Sequence, residues 1–267
     1  MAIQANGPVV EYDVKDDIAY IRLNRPHIGN AMNQEYGDVI LEIATVVANH
    51  PGLRALLITG NGPTFSVGGD ITAFNEATPD EMADTLTRMA IPYHEALRLF
   101  SRLDIPIVTA VHGACAGGGL GLLYIADIVI AAEGTKFATG FGKIGISGDC
   151  GTSWFLPRLI GLRRATEMYL EDRVILAATA AEWGLVNRVV TPEALAEEAE
   201  NTVRRLAAGP TRAFGEIRRL LRESDRSTLA EQLSAETDAL RRTGASADAP
   251  AAIASFLAKR RPTFAGK

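Results

Sequence analysis

Cysteine is scarce in this chain: Cys115 and Cys150 are the only two among 267 residues. Two thiols are too few for a disulfide scaffold and lack the spacing of a zinc site, so no metal and a reducing cytoplasm are expected. Long apolar runs are missing as well. None reaches the roughly 18 to 20 residues that cross a bilayer, and the opening MAIQANGPVVEYD has neither the basic nor the apolar region of a leader peptide. A soluble, cytoplasmic protein without a membrane partner is expected. An excess of positive charge is also absent, and the net charge of −5 argues against a nucleic-acid partner.

Several chemistry-bearing motifs are missing. Around Gly113 to Gly121 no register satisfies G-x-G-x-x-G, and G-x-x-x-x-G-K-[ST] does not occur, which argues against dinucleotide and P-loop sites. Neither H-E-x-x-H nor G-x-S-x-G is present, which argues against a zinc protease or a serine hydrolase.

What remains is an ordinary globular composition, 47% hydrophobic and 22% charged, in a chain long enough for one large domain or one domain plus an appendage. Val9 to Asp13 and Ile18 to Leu23 read as a hairpin, and Asn33 to Asn49 as a helix with its apolar stripe at Tyr36, Val39, Ile40, Ile43, Val46 and Val47. Leu53 to Thr59 then reads as a buried strand. A helix from about Pro79 to Leu103, a strand at Ile107 to His112, an apolar stretch at Leu120 to Ala126 and a strand at Asp127 to Ala132 repeat that order, which implies an α/β fold.

Beyond Val190 only helical patterns follow, at about 211–222, 227–242 and 248–259. Thr191-Pro192-Glu193 reads as a helix cap with proline in the first helical position. Two domains are therefore expected, a core of residues 1–203 and a helical arm of 204–267. The arm carries thirteen Lys/Arg against seven Asp/Glu, leaving −11 on the core. That positive charge suits either an anionic ligand or solvated helix faces.

Two glycine clusters can carry chemistry. Gly117-Gly118-Gly119 either makes a tight turn or presents bare N–H groups, and Gly68-Gly69 in FSVGGD offers a second set. Two such donors aimed at one oxygen form an oxyanion hole. Asp149, among glycines and close to Trp154 and Phe155, is either the N-cap of a helix starting near Gly151 or, if buried, a general base with a raised pKa. His94, in a helix with Tyr93, Leu97 and Phe100, reads first as a satisfied structural histidine.

These segments resemble the crotonase superfamily of enoyl-CoA hydratases and isomerases over nearly the whole chain. IRLNRPHIGNAMN is similar to its opening strand and turn, and FSVGGDI to its first oxyanion loop. IPIVTAVHGACAGGGLGLLYIADIVIAA matches its strand, glycine run and helix, ATAAEWGLVNRVV the end of its core, and FLAKRRPTF its closing helix. The resemblance implies a crotonase-like spiral of β-β-α turns with a C-terminal helical arm, assembled as a homotrimer or a dimer of trimers. It implies an acyl-CoA thioester as substrate and no separate cofactor. The thioester oxygen would sit on the amides of Gly69 and Gly118, with Gly69, Asp70, Ile71 and Thr72 also near the pantetheine or nucleotide end of CoA. Phe256 and Lys259 would approach the adenine and phosphates of a neighbouring subunit's CoA.

Departures from the family pattern select among its reactions. Hydratases of the family activate water with two glutamates, and those positions are Gly121 and Phe141 here. IGISGDCGTSWFLPRLIG instead resembles the branch of ring-1,2-epoxyphenylacetyl-CoA isomerase and the 4-chlorobenzoyl-CoA dehalogenases, which place one aspartate, here Asp149, beside the oxyanion hole. In the dehalogenases a helper histidine matches His94, and a tryptophan stands at the position of Phe141. The resemblance thus implies an enoyl-CoA isomerase with Asp149 as its single base and His94, Phe141 and Trp154 shaping the acyl pocket. The alternatives are a dehalogenase or hydrolase with an Asp149 nucleophile, a hydratase in spite of the missing glutamates, and a non-catalytic acyl-CoA-binding protein.

Overall fold

The computed structural model describes residues 8–266; residues 1–7, the start of the segment read as leader-free, and Lys267 lie outside them. The chain opens with β1 (Val10–Lys15) and β2 (Ile18–Leu23), an antiparallel hairpin turning through Asp16 and Asp17, both in the left-handed region. Next comes α1 (Gln34–Asn49), whose N-cap Asn33 accepts the Tyr36 N–H at 3.0 Å, a contact that satisfies one of the orphan donors of the first turn. Tyr36, Ile40, Ala44 and Val47 recur at helical spacing and are buried, each contributing about 1.5–3 kcal/mol for the larger side chains.

Then follow β3 (Ala55–Gly60), α2 (Ile71–Asn75), α3 (Met82–Ser101), β4 (Ile107–Val111), β5 (Ala114–Ala116), α4 (Leu120–Tyr124), β6 (Ile128–Ala132) and β7 (Lys136–Ala138). The core closes with α5 (Thr152–Ile160), α6 (Leu162–Leu170), β8 (Ile175–Leu176), α7 (Ala177–Trp183), β9 (Arg188–Val190) and α8 (Leu195–Ala207). The larger sheet runs β1-β2-β3-β4-β6-β9, parallel from β2 onward, and the smaller runs β5-β7-β8. Successive turns of the chain, β4 with β5 and β6 with β7, give one strand to each sheet, which is the expected spiral.

Alternation along these strands separates two cores. Ile21, Leu56, Ile58, Ile107, Val111 and Val129 face α1 and α3, whereas Ile18, Leu57, Val108, Ala110 and Ile130 face α8 through Leu195, Ala199 and Val203. A strand buried on both faces reads as a nearly continuous apolar run, as β4 does apart from Thr109, whose hydroxyl donates to Leu122 C=O at 3.1 Å.

The arm consists of α9 (Thr211–Glu223), α10 (Leu229–Gly244) and α11 (Asp248–Leu257). The boundary expected at 203/204 falls inside α8, which continues to Ala207 because Val203 and Ala207 both pack on the sheet. The cap expected at Thr191-Pro192-Glu193 is corrected: these residues form a turn in which Ala194 N–H reaches Thr191 C=O at 3.1 Å, and the helix starts at Leu195. Among the described residues, no helix is long and apolar enough to cross a membrane.

Asp127 ties the arm to the core. Its Oδ2 accepts Ile107 N–H at 2.7 Å and Arg218 Nε at 2.6 Å, while Oδ1 accepts Arg222 Nη2 at 3.3 Å. Much of the arm's positive charge is spent in this way, with Arg219 and Arg242 both on Glu216.

Candidate active site

Two loops following parallel strands are stitched side by side. Ser66 N–H donates to Ala114 C=O at 3.1 Å and Ala116 N–H to Ser66 C=O at 2.9 Å, so the segments leading to Gly69 and Gly118 run as neighbours. Asn30, buried and left-handed at φ 55°, organises the first loop. Its side-chain amide donates to the carbonyls of Asn61, Thr64 and Phe65, and its own carbonyl accepts Ser66 Oγ, which in turn receives the Gly68 N–H at 3.2 Å. The Gly117–Gly119 run forms a short 3₁₀ turn, and the N–H groups in the first turn of a helix have no intrahelical acceptor. Tyr93 Oη donates to Gly118 C=O at 3.0 Å, fixing the second loop against α3.

Between these loops, α1, α3 and the 139–150 segment lies a cavity of about 370 Å³. Gly69 and Gly118 line it, with Tyr36, Phe74, Met89 and Phe141 among its apolar walls. Asp149 lines it too and is its only charged side chain among the described residues. Asp149 is carried by a loop whose neighbours Gly148, Cys150 and Gly151 all have positive φ, an arrangement that costs energy at the non-glycine Cys150.

The capping alternative for Asp149 is not realised. The N-cap of α5 is Gly151, and only the Asp149 backbone carbonyl reaches the helix, accepting Thr152 N–H at 3.0 Å. The burial condition attached to the base is not met either, because the carboxylate is 37% exposed in the isolated chain. His94 Nε2 lies 3.6 Å from Asp149 Oδ2 and accepts the Cys150 N–H at 3.1 Å. Burial, and then the Asp149 charge, hold the Cys150 thiol well above the usual thiol range.

The structure thus gathers Gly69, Gly118, Ile71, Phe141 and Asp149 around one cavity, with His94 touching Asp149 from outside its lining. Trp154 is corrected as a pocket residue. It packs on Phe155 with ring centroids 4.5 Å apart, lies under Arg158 at 4.1 Å and does not line the cavity. Asp70 does not line the cavity: it caps α2 by accepting Thr72 N–H at 3.2 Å and pairs with Arg25 Nη2 at 3.3 Å, and Thr72 is engaged there. Phe256, 80% exposed, and Lys259 stand on the arm outside the cavity of their own chain.

The reading from residues missed Tyr36, Phe74, Met89, Tyr93 and Cys150. Tyr93 precedes His94 and Cys150 follows Asp149, but apolar and aromatic residues in a helix pattern give no sign of which face meets a cavity. Of the two absent glutamate positions, Gly121 is crowded by side chains and Phe141 faces the cavity. A Cβ on Gly121 would lie 2.8 Å from Leu97 Cδ1, 3.1 Å from Tyr93 Oη and 3.2 Å from Cys150 Cβ, and Phe141 stacks on Tyr169 with centroids 6.1 Å apart.

A two-sheet spiral with a helical arm and paired glycine loops defines the crotonase class of fold. Residues 13–267 match the family model for enoyl-CoA hydratase/isomerase, and the chain belongs to that family. It is 36% identical over 254 residues to the 1,2-epoxyphenylacetyl-CoA isomerase of Escherichia coli K12, covering 95% of this chain and 97% of that protein. It is 31% identical over 214 residues to 4-chlorobenzoyl coenzyme A dehalogenase-2 of an Arthrobacter species, covering 80% and 78%. Among solved structures, a protein described as an enoyl-CoA hydratase/isomerase from Mycobacterium abscessus superimposes with a TM-score of 0.92 at 40% identity, covering 97% of this chain and all of that one.

Proposed function

We propose that the protein is an acyl-CoA isomerase that moves a double bond by proton transfer through Asp149. The observation that carries this reading is that Asp149 is, among the described residues, the one acidic side chain on a cavity also lined by Gly69 and Gly118. In this reading the thioester oxygen accepts the Gly69 and Gly118 N–H groups. Asp149 takes a proton from the carbon next to the thioester carbonyl, the resulting enolate charge rests on that oxygen, and the same carboxyl returns the proton farther along the conjugated chain. One carboxylate suffices because no water is added. The carbonyl needs no separate cofactor to be polarised in this scheme.

Relatives bearing isomerase names support the reading, as do Gly121 and Phe141, which put no second carboxylate beside Asp149. The reading extends to a cytoplasmic protein, in keeping with two free thiols, and to a homotrimer or a dimer of trimers. Leu229, Leu233, Leu240, Phe256 and Leu257 leave apolar surface uncovered on the arm, where a neighbouring copy would place Phe256 and Lys259 against CoA.

A second reading is favoured by the 3.6 Å approach of His94 to Asp149: the carboxylate attacks the halogen-bearing ring carbon of an aromatic acyl-CoA, halide leaves, and water activated by His94 hydrolyses the resulting aryl ester of Asp149 to the hydroxylated product. The deciding experiment follows 3-enoyl-CoA, 2-enoyl-CoA and an arylacetyl-CoA by NMR in deuterated water, with wild type and Asp149→Asn. Deuterium incorporation with double-bond migration, lost in Asp149→Asn by about 10²-fold or more while acyl-CoA still binds, is the expected result. Migration that survives the substitution within a few-fold overturns it, and an aryl ester trapped on Asp149 with a ring-halogenated aromatic acyl-CoA selects the second reading.

A further inference from the structure

His94, Asp149 and Cys150 come together from two elements far apart in sequence, and their ligand atoms lie within 4.8 Å of one another. Because Cys150 N–H donates to His94 Nε2, that nitrogen holds a lone pair and no proton. It faces Asp149 Oδ2 at 3.6 Å, so two acceptors confront each other with no hydrogen between them. An electron-pair acceptor such as a cation fits between two such atoms. In a tetrahedral zinc site, metal–nitrogen and metal–oxygen bonds of about 2.1 Å put the two ligand atoms about 3.4 Å apart, close to the separation found here.

We propose that His94 Nε2, Asp149 Oδ2 and Cys150 Sγ form a binding site for one soft divalent cation of the Zn²⁺ class, with its fourth position open to the acyl cavity.

Three features support this choice of ligand. Cys150 is a non-glycine residue with φ 54°, a conformation that sets its side chain beside Gly118: a Cβ on Gly118 would lie 3.2 Å from Sγ. No Lys or Arg lines the cavity among the described residues, so no fixed cation competes with a metal for Asp149. Thiol, imidazole and carboxylate together suit zinc and not magnesium or calcium, which take oxygen ligands. Binding releases the Cys150 thiol proton to solvent, gives up the hydrogen bonds from the Cys150 thiol to Asp149 and from the Cys150 N–H to His94, and forms three metal–ligand bonds. Binding itself does not depend on the reaction assigned above. Its consequence, inhibition by removal of Asp149 from proton transfer, does rest on that reading.

The test uses the purified full chain in metal-free buffer, titrated with Co²⁺ as the spectroscopic stand-in. One equivalent is expected to produce a sulfur-to-cobalt charge-transfer band with the visible bands of tetrahedral cobalt, displaced by Zn²⁺ and not by Mg²⁺. Cys150→Ala should abolish the charge-transfer band. The other thiol, Cys115, is fully buried in β5. His94→Gln alters a side chain that is 45% exposed, which protects the fold, and should abolish one-equivalent binding. Absence of the band in wild type, or a band of equal strength in His94→Gln with circular dichroism unchanged, overturns the proposal whether or not Cys150→Ala folds. Double-bond migration that persists in the zinc-loaded protein would leave the metal site standing and sink the role given to Asp149.

Discussion

Gly68 backs directly onto Gly118: a Cβ built on Gly68 would stand 3.3 Å from the Gly118 nitrogen and 2.9 Å from the Ala116 carbonyl oxygen. The close approach of the two glycine loops is possible because Gly68 has no side chain and sits at φ 93°. Gly68→Ala therefore strains the backbone and pushes the loops apart. Turnover should fall by about 10²–10³, the scale of losing one oxyanion donor, with kcat bearing most of the loss. Steady-state kinetics on a 3-enoyl-CoA checks it; an unchanged kcat would mean that the spacing of these loops does not matter.

Restoring the glutamate that hydratases of the family carry should not restore hydration. Gly121→Glu drives a charged side chain into Leu97, Tyr93 and Cys150, and overpacking of this kind costs about 1–3 kcal/mol before the burial of charge is counted. Thermal unfolding should show the lower stability, and a 2-enoyl-CoA assay should show no gain of water addition.

Asp127→Ala removes the anchor of the arm. Arg218, only 6% exposed, would keep its charge with no carboxylate partner, and breaking such a pair costs about 3–5 kcal/mol. Urea unfolding and the elution volume of the variant measure this. The arm should loosen first, so proteolysis within α9 is expected ahead of global unfolding.

Acid should weaken the arm through Glu216. Its hydrogen bond from Arg242, followed by that from Arg219, lowers its pKa to about 2 from an ordinary 4.5. A depressed carboxylate stabilises the fold above the unfolded pKa, and that contribution is lost as pH falls from about 4.5 toward 2. Allowing for solvent screening at a side chain that is 18% exposed, the contribution is about 1–2 kcal/mol. Stability of wild type and Glu216→Gln should converge near pH 2 and separate above pH 4.5; parallel curves would contradict the assignment.

Local patterns were enough for most elements. Ile18 to Leu23 is a strand over its whole expected length, and the stripe from Tyr36 to Val47 predicts α1 because each apolar residue returns to the same face after one turn. The start of α8 was misplaced because Thr191-Pro192-Glu193 satisfies both a helix cap and a free-standing turn. The choice depends on where Leu195 and Ala199 meet the sheet.

The candidate site divides in the same way. Glycine pairs after strands, the absence of both hydratase glutamates and the lone Asp149 are properties of residue type and order, and they were legible without coordinates. Which side chains line the cavity was not: Trp154 and Asp70 serve packing and capping, whereas Tyr36, Phe74 and Met89 line it. Only the tertiary structure brings His94 to 3.6 Å from Asp149 and gives Nε2 the Cys150 N–H, because the lone pair of one residue and the donor of another 56 positions away meet only once α3 has packed beside the 148–151 loop. Sequence order determines the elements and the chemical groups available, since both depend on near neighbours. Distance, exposure and hydrogen-bond partner depend on how the turns of the spiral stack, and the fold alone decides them.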